Sequence, residues 1–264
     1  MSQVKTKEKE SCKGAVLIFS CQKHMNTRLK ELAIPPVENG WLTFVIIGNP
    51  FLSSDYEILE SANTPVKTLF IKCEDSYIHV MKKVVLTIKI LLEIYDVEEG
   101  FLRCGDDLIF NPQNLTAFLN FPNKQDYMGM IALKLTGIFR HYNTFMLEYY
   151  EKHPEDLTNP AHGLSRLTMK DIQKFTQIPL CSYTGGVVTY LSKKSCKELV
   201  EHMNFIHWNV FQENADHGYP YVIEDIGIGY ILSLNKIEPC ACELYTNDPS
   251  RFQNAVALHT NNYK

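Results

Sequence analysis

Residues 76–107 read SYIHVMKKVVLTIKILLEIYDVEEGFLRCGDD and combine two patterns that set the predicted architecture. Apolar residues recur in the first part at steps of three and four, at Met81, Val84, Val85, Ile88, Leu91, Leu92 and Tyr95. This spacing predicts an amphipathic helix over Ser76 to Tyr95 that covers one face of a sheet. The short strand-like segment Gly100 to Cys104 then leads into Asp106 and Asp107, so two carboxylates follow the carboxyl end of a strand. Ligands of open α/β sheets bind at that edge.

The segments before this stretch alternate between strand-like and helix-like patterns. Two continuous apolar runs, Gly14 to Cys21 and Trp41 to Gly48, predict buried strands, and Val66 to Cys73 predicts a third. Asn26 to Ala33 is a short helix candidate that Pro35 and Pro36 end. Alternation of this kind predicts a mainly parallel sheet flanked by helices, a Rossmann-like α/β architecture.

The second half of the chain has a different order of elements. Strands are predicted at Tyr127 to Thr136 and at Gly186 to Leu191, and helices at Lys193 to Met203 and at Asp225 to Leu234. Because strands no longer alternate regularly with helices, a mixed sheet is expected here. Lys152 to Ser165 contains two prolines and a glycine without a clear period, which predicts a long loop of the kind that is often functional or mobile.

Composition is that of an ordinary globular protein of 264 residues, with 45% hydrophobic and 21% charged residues. No linker rich in Pro, Gly or Ser divides the chain, so a single domain over residues 14–264 is predicted after a polar tail of residues 1–13. A net charge of −4 gives no general reason to bind nucleic acid. No apolar run is long enough to span a membrane.

The compartment is read from the start of the chain and from the cysteines. The leader is too polar for a signal peptide, which favours a soluble cytoplasmic protein. Eight cysteines are scattered along the sequence without a CxxC pair, so reduced thiols are the simpler interpretation. In an oxidising compartment some of them could pair.

Asp106 and Asp107 are the first candidates for chemistry. Adjacent carboxylates after a buried strand repel each other unless solvent, hydrogen-bond donors or a cation compensates. Their oxygens suit the hard ions Mg²⁺ and Mn²⁺, which in turn neutralise phosphate oxygens. The alternative is a solvated Asp-Asp turn, which spacing alone favours.

Glu224 and Asp225 are the second acidic pair, between an apolar run and a predicted helix. Either residue could be the N-cap of that helix, which is the usual role of such acids. The functional alternative is a general base that faces a hydroxyl group. Gly185 and Gly186 come before a predicted strand and favour a turn, although two glycines also allow backbone to approach a bulky ligand closely.

Several common sites are not indicated by the sequence. It contains no GxxxxGK[ST] loop, GxSxG elbow or HExxH motif, and the Gly227-Ile228-Gly229 segment lacks the third glycine of a dinucleotide fingerprint. His202, His207 and His217 have no metal-ligand spacing. His259 is an isolated imidazole near the C-terminus.

Taken in order, these segments resemble the inverting β-1,3-galactosyltransferase-like glycosyltransferases, the group that includes the Fringe enzymes. Residues 73–83 (CEDSYIHVMKK) resemble the family's D-x-Y-x-N-L-T-x-K motif, and residues 101–111 (FLRCGDDLIFN) resemble K-x-D-D-D-V-F-V-N. Residues 183–190 (YTGGVVTY) resemble its glycine-rich segment, and residues 223–229 (IEDIGIG) resemble E-D-V-x-x-G. The stretch LIFSCQKHMNTR, residues 17–28, fits its first strand and arginine-bearing turn, so the resemblance extends from about residue 14 to residue 235.

The resemblance implies a GT-A fold that binds a nucleotide-diphosphate sugar, usually a UDP-sugar, together with Mn²⁺ or Mg²⁺. By this resemblance Asp107 coordinates the metal, His259 completes the metal site, and Asp106 supports the metal or the nucleotide. Asp225 is the base that deprotonates the acceptor hydroxyl. Glu224 is the second catalytic residue, which either forms a hydrogen bond with the acceptor or raises the coupled pKa values of the pair. The positions expected to contact the nucleotide-sugar are Ser20, Arg28, Asp75, Asp106, Gly185 and Gly186. The acceptor is then a glycan or glycoconjugate, and inversion gives a β linkage.

The chain also departs from the family's pattern. Gly105 stands where the family has the first Asp of its triplet, a residue that in relatives helps to hold the ribose. Family members usually carry an N-terminal anchor and act in the Golgi lumen. From the resemblance as a whole, the sequence predicts a metal-dependent hexosyl- or pentosyltransferase, and two alternatives remain. One is a catalytically silent sugar- or protein-binding module, and the other is a nucleotide-sugar hydrolase.

Overall fold

An eight-stranded mixed sheet forms the centre of the protein. The computed structural model describes residues 9–134, 139–141, 144–164, 176–178, 181–204 and 223–260. The strands are β1 (Glu10–Phe19), β2 (Trp41–Gly48), β3 (Tyr56–Ser61), β4 (Thr64–Ile71), β5 (Tyr95–Cys104), β6 (Leu108–Phe110), β7 (Tyr127–Lys134), β8 (Phe139–His141), β9 (Thr176–Ile178), β10 (Ser182–Ser192), β11 (Cys240–Ala241), β12 (Tyr245–Thr246) and β13 (Ala257–His259). The helices are α1 (Arg28–Glu31), α2 (Val80–Ile94), α3 (Pro112–Leu119), α4 (Thr144–Lys152), α5 (Glu155–Thr158), α6 (Lys193–Met203) and α7 (Glu224–Leu234).

The main sheet has the strand order β11, β7, β10, β5, β1, β2, β4, β3. The strands β5, β1, β2 and β4 are parallel to one another, whereas β10 runs antiparallel to both β5 and β7. Two small sheets accompany it, one of β12, β13 and β6 and one of β8 and β9. Since the main sheet takes strands from residue 10 to residue 241, the described chain forms one α/β domain.

Both faces of the central strands are buried. On β1, Ala15, Leu17 and Phe19 belong to the core on the face where α2, α6 and α7 pack, and Val16 and Ile18 belong to the core on the opposite face, which includes residues of α3. A strand buried on both sides needs apolar residues at consecutive positions, which explains the unbroken run in the sequence.

The strand register places three chain segments at one edge of the sheet. Leu17 pairs with Arg103, so the parallel strands β1 and β5 end together and are followed by Ser20 and by residues 105–107. The antiparallel strand β10 pairs Val188 with Cys104 at the same edge. Beyond that pair, the Gly105 N–H donates to the Val187 carbonyl at 3.0 Å. The carboxyl ends of the parallel strands therefore meet the middle of β10.

The predicted elements are largely confirmed, with shifts at their ends. Helix α2 starts at Val80 after a 3₁₀ turn at Tyr77–His79, and α1 is only four residues long. Strand β1 begins at Glu10, four residues inside the predicted polar tail. The mixed sheet expected for the second half is confirmed by the antiparallel β10.

Two local predictions were wrong. The segment 152–165 is not a continuous loop, because its described part contains α5 and a 3₁₀ turn at Pro160–His162. Gly185 and Gly186 do not form a turn before a strand, because both lie within β10, where its pairing with β7 is irregular. Residues 135–136 of the predicted strand at 127–136 lie outside the described part. Among the helices described, none has both the length and the apolar composition that crossing a membrane requires.

Candidate functional site

A cavity of about 320 Å³ opens at the carboxyl edge of the sheet. Its inner wall includes Ser20, His24, Arg28, Arg103 and Asp106, which follow or end the parallel strands β1 and β5. Asp106 of the first acidic pair therefore lines this cavity, whereas Asp107, His259, Glu224 and Asp225 are not among its lining residues. Ligand sites of open α/β sheets are expected in this position.

The outer wall of the cavity is aromatic and tied to the loop after β1. Tyr77 stacks on Tyr149 with ring centroids 6.0 Å apart, and the Tyr149 hydroxyl donates to Asp156 at 2.5 Å. Lys23 also contacts Asp156, with 3.3 Å between the ammonium nitrogen and a carboxylate oxygen. The segment 21–25 is thus linked across the cavity to α5.

Asp106 is held by side chains of the chain itself. Its carboxylate accepts hydrogen bonds from Ser20 Oγ at 2.5 Å and from His24 Nδ1 at 2.7 Å, and Arg28 Nη1 lies 3.4 Å away. Burial alone raises the pKa of Asp106, but the bonds from His24 and Ser20 outweigh burial and lower it. The bond to Asp106 raises the pKa of His24 to about 9. Asp106 is therefore ionised and fixes the loop that carries the predicted nucleotide contacts Ser20 and Arg28.

Asp107 points to a different group of side chains. Its Oδ2 lies 3.2 Å from His259 Nε2, and its backbone carbonyl accepts hydrogen bonds from the N–H and the hydroxyl of Thr260, both at 3.0 Å. On the other side of the imidazole, His259 Nδ1 is 2.9 Å from Asn247 Oδ1. The antiparallel pairing of β13 with β6 brings His259 to this position. The structure thus joins Asp107 and His259, as the resemblance implies.

The donor set of Asp107 and His259 fits a divalent metal in part. No group of three or more His, Cys, Asp or Glu side chains arranged for a metal ion occurs within the described residues. If Nδ1 donates its proton to Asn247, the Nε2 lone pair and the Asp107 carboxylate face each other as two acceptors, which a cation between them would satisfy. One oxygen and one nitrogen ligand suit Mn²⁺, with other coordination positions left for phosphate oxygens or water.

Glu224 and Asp225 begin helix α7, but neither caps it. The N-cap residue is Ile223, and it makes no capping hydrogen bond through its side chain, so the predicted capping role of the two acids was wrong. Glu224 instead accepts a hydrogen bond from Arg103 Nη2 at 3.0 Å. Asp225 is less buried, and its carboxylate accepts from the Ile226 N–H at 2.8 Å.

Burial changes the ionisation of both acids. Burial raises the pKa of Glu224 to about 7, with a contribution from the neighbouring Asp225, while Arg103 opposes the shift. Burial also raises the pKa of Asp225, although the N–H groups of Ile226 and Gly186 and the charge of Arg103 counteract it. A carboxylate with a raised pKa is a stronger base than an exposed one, which is the property that a general base needs.

The glycines of β10 lie in close contact with the second acidic pair and with Tyr245. A Cβ atom on Gly186 would lie 2.9 Å from Glu224 Oε2, and one on Gly185 would lie 2.6 Å from the Tyr245 hydroxyl. Tyr245 in turn packs edge-on against His259, with ring centroids 6.2 Å apart. Gly185 and Gly186 therefore allow close approach, as one of the two interpretations held, but to protein side chains.

Asp75 is bound to the backbone and a lysine. Its carboxylate accepts hydrogen bonds from Lys83 Nζ at 2.6 Å, from the Gln22 N–H at 2.7 Å and from the Gly48 N–H at 3.0 Å. The residue is 3% exposed. Asp75 lines the cavity, yet these bonds make it a support for the ends of β1 and β2.

Three residues of the site were not among the predicted ones. Arg103 occupies the position of the lysine in K-x-D-D-D, so the motif could have identified it as a site residue. His24 and Asn247 carry no such signal, because their contacts depend on loops whose paths the sequence does not indicate. Of the other histidines, His202 lies on α6 beside Tyr230, and His207 and His217 lie outside the described residues.

Comparison of the sequence with models of known protein families finds no match, and comparison with curated proteins finds none either.

Proposed function

We propose that the chain is a metal-dependent inverting glycosyltransferase of the GT-A type, which transfers a sugar from a UDP-sugar to a hydroxyl group of a glycan or glycoconjugate. The observation that carries the proposal is the convergence of two acidic pairs at one edge of the sheet. Arg103, on the cavity wall, binds Glu224, and Gly186 lies against the same carboxylate. The motif order in the sequence supports the same assignment.

The cavity is the proposed site of the donor. Its volume of about 320 Å³ lies within the range of small-molecule sites. Five Lys and Arg side chains and four Asp and Glu side chains line the cavity, so its charge is nearly balanced, and a bound metal ion would supply most of the compensation for a diphosphate. Asp107 and His259 would hold Mn²⁺ or Mg²⁺, and the ion supplies compensation for the negative charge that develops on the departing nucleotide.

Asp225 is assigned the proton transfer. Its carboxylate takes the proton of the acceptor hydroxyl while the hydroxyl oxygen forms a bond to the anomeric carbon of the donor. The bond from that carbon to the diphosphate oxygen breaks, and the nucleotide leaves with the electron pair. A single displacement inverts the configuration, so an α-linked donor gives a β-linked product.

Release of UDP from a panel of UDP-sugars with Mn²⁺, with and without glycan acceptors, tests the proposal. We expect release that requires both Mn²⁺ and an acceptor. Asp225→Asn should reduce transfer by about 10³-fold, because general base catalysis contributes on that order, and should retain UDP binding. Asp55→Asn is the control, because Asp55 is exposed and distant in sequence from both acidic pairs.

The outcomes separate the proposal from its alternatives. UDP release that does not require an acceptor identifies a nucleotide-sugar hydrolase. Binding of nucleotide-sugars without any release identifies a silent binding module. Full transfer activity in Asp225→Asn would exclude Asp225 as the base.

A further inference from the structure

Arg103 and Glu224 form a buried ion pair next to the cavity. Arg103 is the next-to-last residue of β5, its guanidinium lies over the Phe19 ring at 5.8 Å, and it lines the cavity. Glu224 is the first residue of α7. Each residue is 9% exposed, and a single hydrogen bond of 3.0 Å joins Nη2 to Oε2.

One polar atom on each partner lacks a hydrogen bond. Arg103 Nε and Glu224 Oε1 are both buried without a partner among the described residues. An unsatisfied buried polar group costs on the order of 1–3 kcal/mol, and more when the group is charged. The ion pair therefore contains one unsatisfied donor and one unsatisfied acceptor, both enclosed by protein.

The chemistry of these two atoms selects the group that would bind them. A hydroxyl group can accept from Nε–H and can donate to a carboxylate oxygen, so it has the chemistry that both atoms need. A phosphate oxygen has no proton to donate and would be repelled by Glu224. The pair thus fits an alcohol of a sugar better than the diphosphate of a nucleotide.

The position of the ion pair indicates whether it contacts the donor sugar or the acceptor. Arg103 shares the cavity wall with Ser20 and Asp106, on the side assigned to the nucleotide. Glu224 is more buried than Asp225, the residue assigned to the acceptor hydroxyl. We propose that Arg103 and Glu224 together bind one hydroxyl group of the donor sugar and select donors that carry it. This inference rests on the proposed function.

Calorimetric titrations with Mn²⁺ test the inference. The ligands are UDP, UDP-hexoses and UDP-deoxyhexoses that each lack one hydroxyl. For the unmodified protein we expect one deoxy analogue to bind about tenfold more weakly than its parent, as expected for one lost hydrogen bond to a charged group. Arg103→Lys and Glu224→Gln should bind that analogue and its parent equally. The same variants should keep their affinity for UDP, which also shows that they are folded.

A matched control uses another ion pair of the same strand. Glu99, on β5, pairs with Lys124 at 2.7 Å and is not among the cavity residues. Glu99→Gln should retain the discrimination between the deoxy analogue and its parent.

Each remaining outcome overturns a specific statement. The inference is overturned if the unmodified protein binds all deoxy analogues equally. It is also overturned if the variants lose affinity for UDP and for UDP-hexoses together. Neither result contradicts the proposed function. Variants that change only the KM of the acceptor show that the hydroxyl belongs to the acceptor, which overturns the donor assignment. An unmodified protein that binds no nucleotide or nucleotide-sugar with Mn²⁺ overturns the proposed function itself.

Discussion

Glu224 is a carboxyl group whose ionisation should affect stability. Its pKa is raised from 4.5 to about 7 in the folded protein, mainly by burial. Between these two values the folded state holds its proton more firmly than the unfolded chain does. The free energy of unfolding therefore decreases as the pH rises through this range, because the unfolded chain releases the proton while the folded state still holds it.

Glu224→Gln should remove this pH dependence. Relative to the variant, the unmodified protein should lose about 3 kcal/mol of unfolding free energy between about pH 4.5 and pH 7. Urea unfolding at several pH values measures the difference. The variant also lacks the ionic partner of Arg103. This loss changes the free energy of unfolding by the same amount at every pH in this range, because the guanidinium stays charged. Parallel curves for the two proteins would contradict a raised pKa at Glu224.

Asp107, His259 and Asn247 allow a metal prediction that does not depend on activity. We expect Asp107→Asn and His259→Ala to weaken Mn²⁺ binding in the presence of UDP. Asn247→Ala should weaken it by about tenfold, since it removes the group that orients the imidazole. Electron paramagnetic resonance of free Mn²⁺ measures the binding.

The control for the metal prediction is His202→Ala, a change of a histidine on α6. Equal Mn²⁺ affinity in the unmodified protein, the control and all three site variants would show that Asp107 and His259 bind no metal.

The sequence predicted the acids of the site better than their partners. Asp106 and Asp107 were found because they follow a recognisable strand, and the register of β1 and β5 then fixes their edge of the sheet. Asp106 contacts His24 in the turn after β1, whereas Asp107 contacts His259 in β13, and these two partners come from opposite ends of the chain. Local spacing contains no information on such long-range packing.

At the scale of elements, α7 positions both Glu224 and Asp225. The helix packs closely on β10 at Gly229, where an added Cβ would lie 2.5 Å from Tyr183 Cβ and 2.8 Å from the Ser182 carbonyl oxygen. The close packing explains why a glycine occupies position 229. No dinucleotide-binding motif is needed to explain it.

Gly229→Ala should push α7 away from β10. We expect a loss of about 1–3 kcal/mol of stability from overpacking. Transfer activity should fall further than stability alone explains, because the displaced helix carries the proposed base. Chemical denaturation and transfer assays at a temperature where the variant stays folded measure the two effects. Ser233→Ala on the same helix is the control, and comparable results for both variants would contradict the close packing at Gly229.

The elements themselves were predictable where pattern and burial agree. Trp41–Gly48 and Lys193–Met203 have the predicted bounds, because the first is buried on both faces and the second has a regular amphipathic period. Strand β3 was not predicted, since it is the exposed edge strand and has few buried residues. The turn predicted at Gly185 and Gly186 was wrong for a related reason. Side chains at these positions would collide with Tyr245 and Glu224, which come from other parts of the chain.

At the scale of the whole molecule, the proposed site is assembled from distant parts of the chain. Residues 20–28 follow β1, and residues 103–107 are the end of β5 and the turn after it. Gly185 and Gly186 belong to β10, α7 supplies the second acidic pair, and β13 supplies His259. A ligand that contacts several of these segments would bind only the folded state. Its binding should therefore stabilise the entire domain.

Thermal unfolding with nucleotides tests this coupling. A donor at about 100 times its Kd adds about 2.7 kcal/mol to the free energy of unfolding, which corresponds to a rise in Tm of roughly 5 °C or more for a chain of this size. We expect the full rise for a UDP-sugar only together with Mn²⁺, and a smaller rise for Mn²⁺ alone. In Asp107→Asn the part of the shift that depends on Mn²⁺ should disappear, whereas Asp55→Asn should behave like the unmodified protein. If Mn²⁺ and UDP-sugars together raise Tm no more than GDP-sugars do, the cleft does not select a uridine donor.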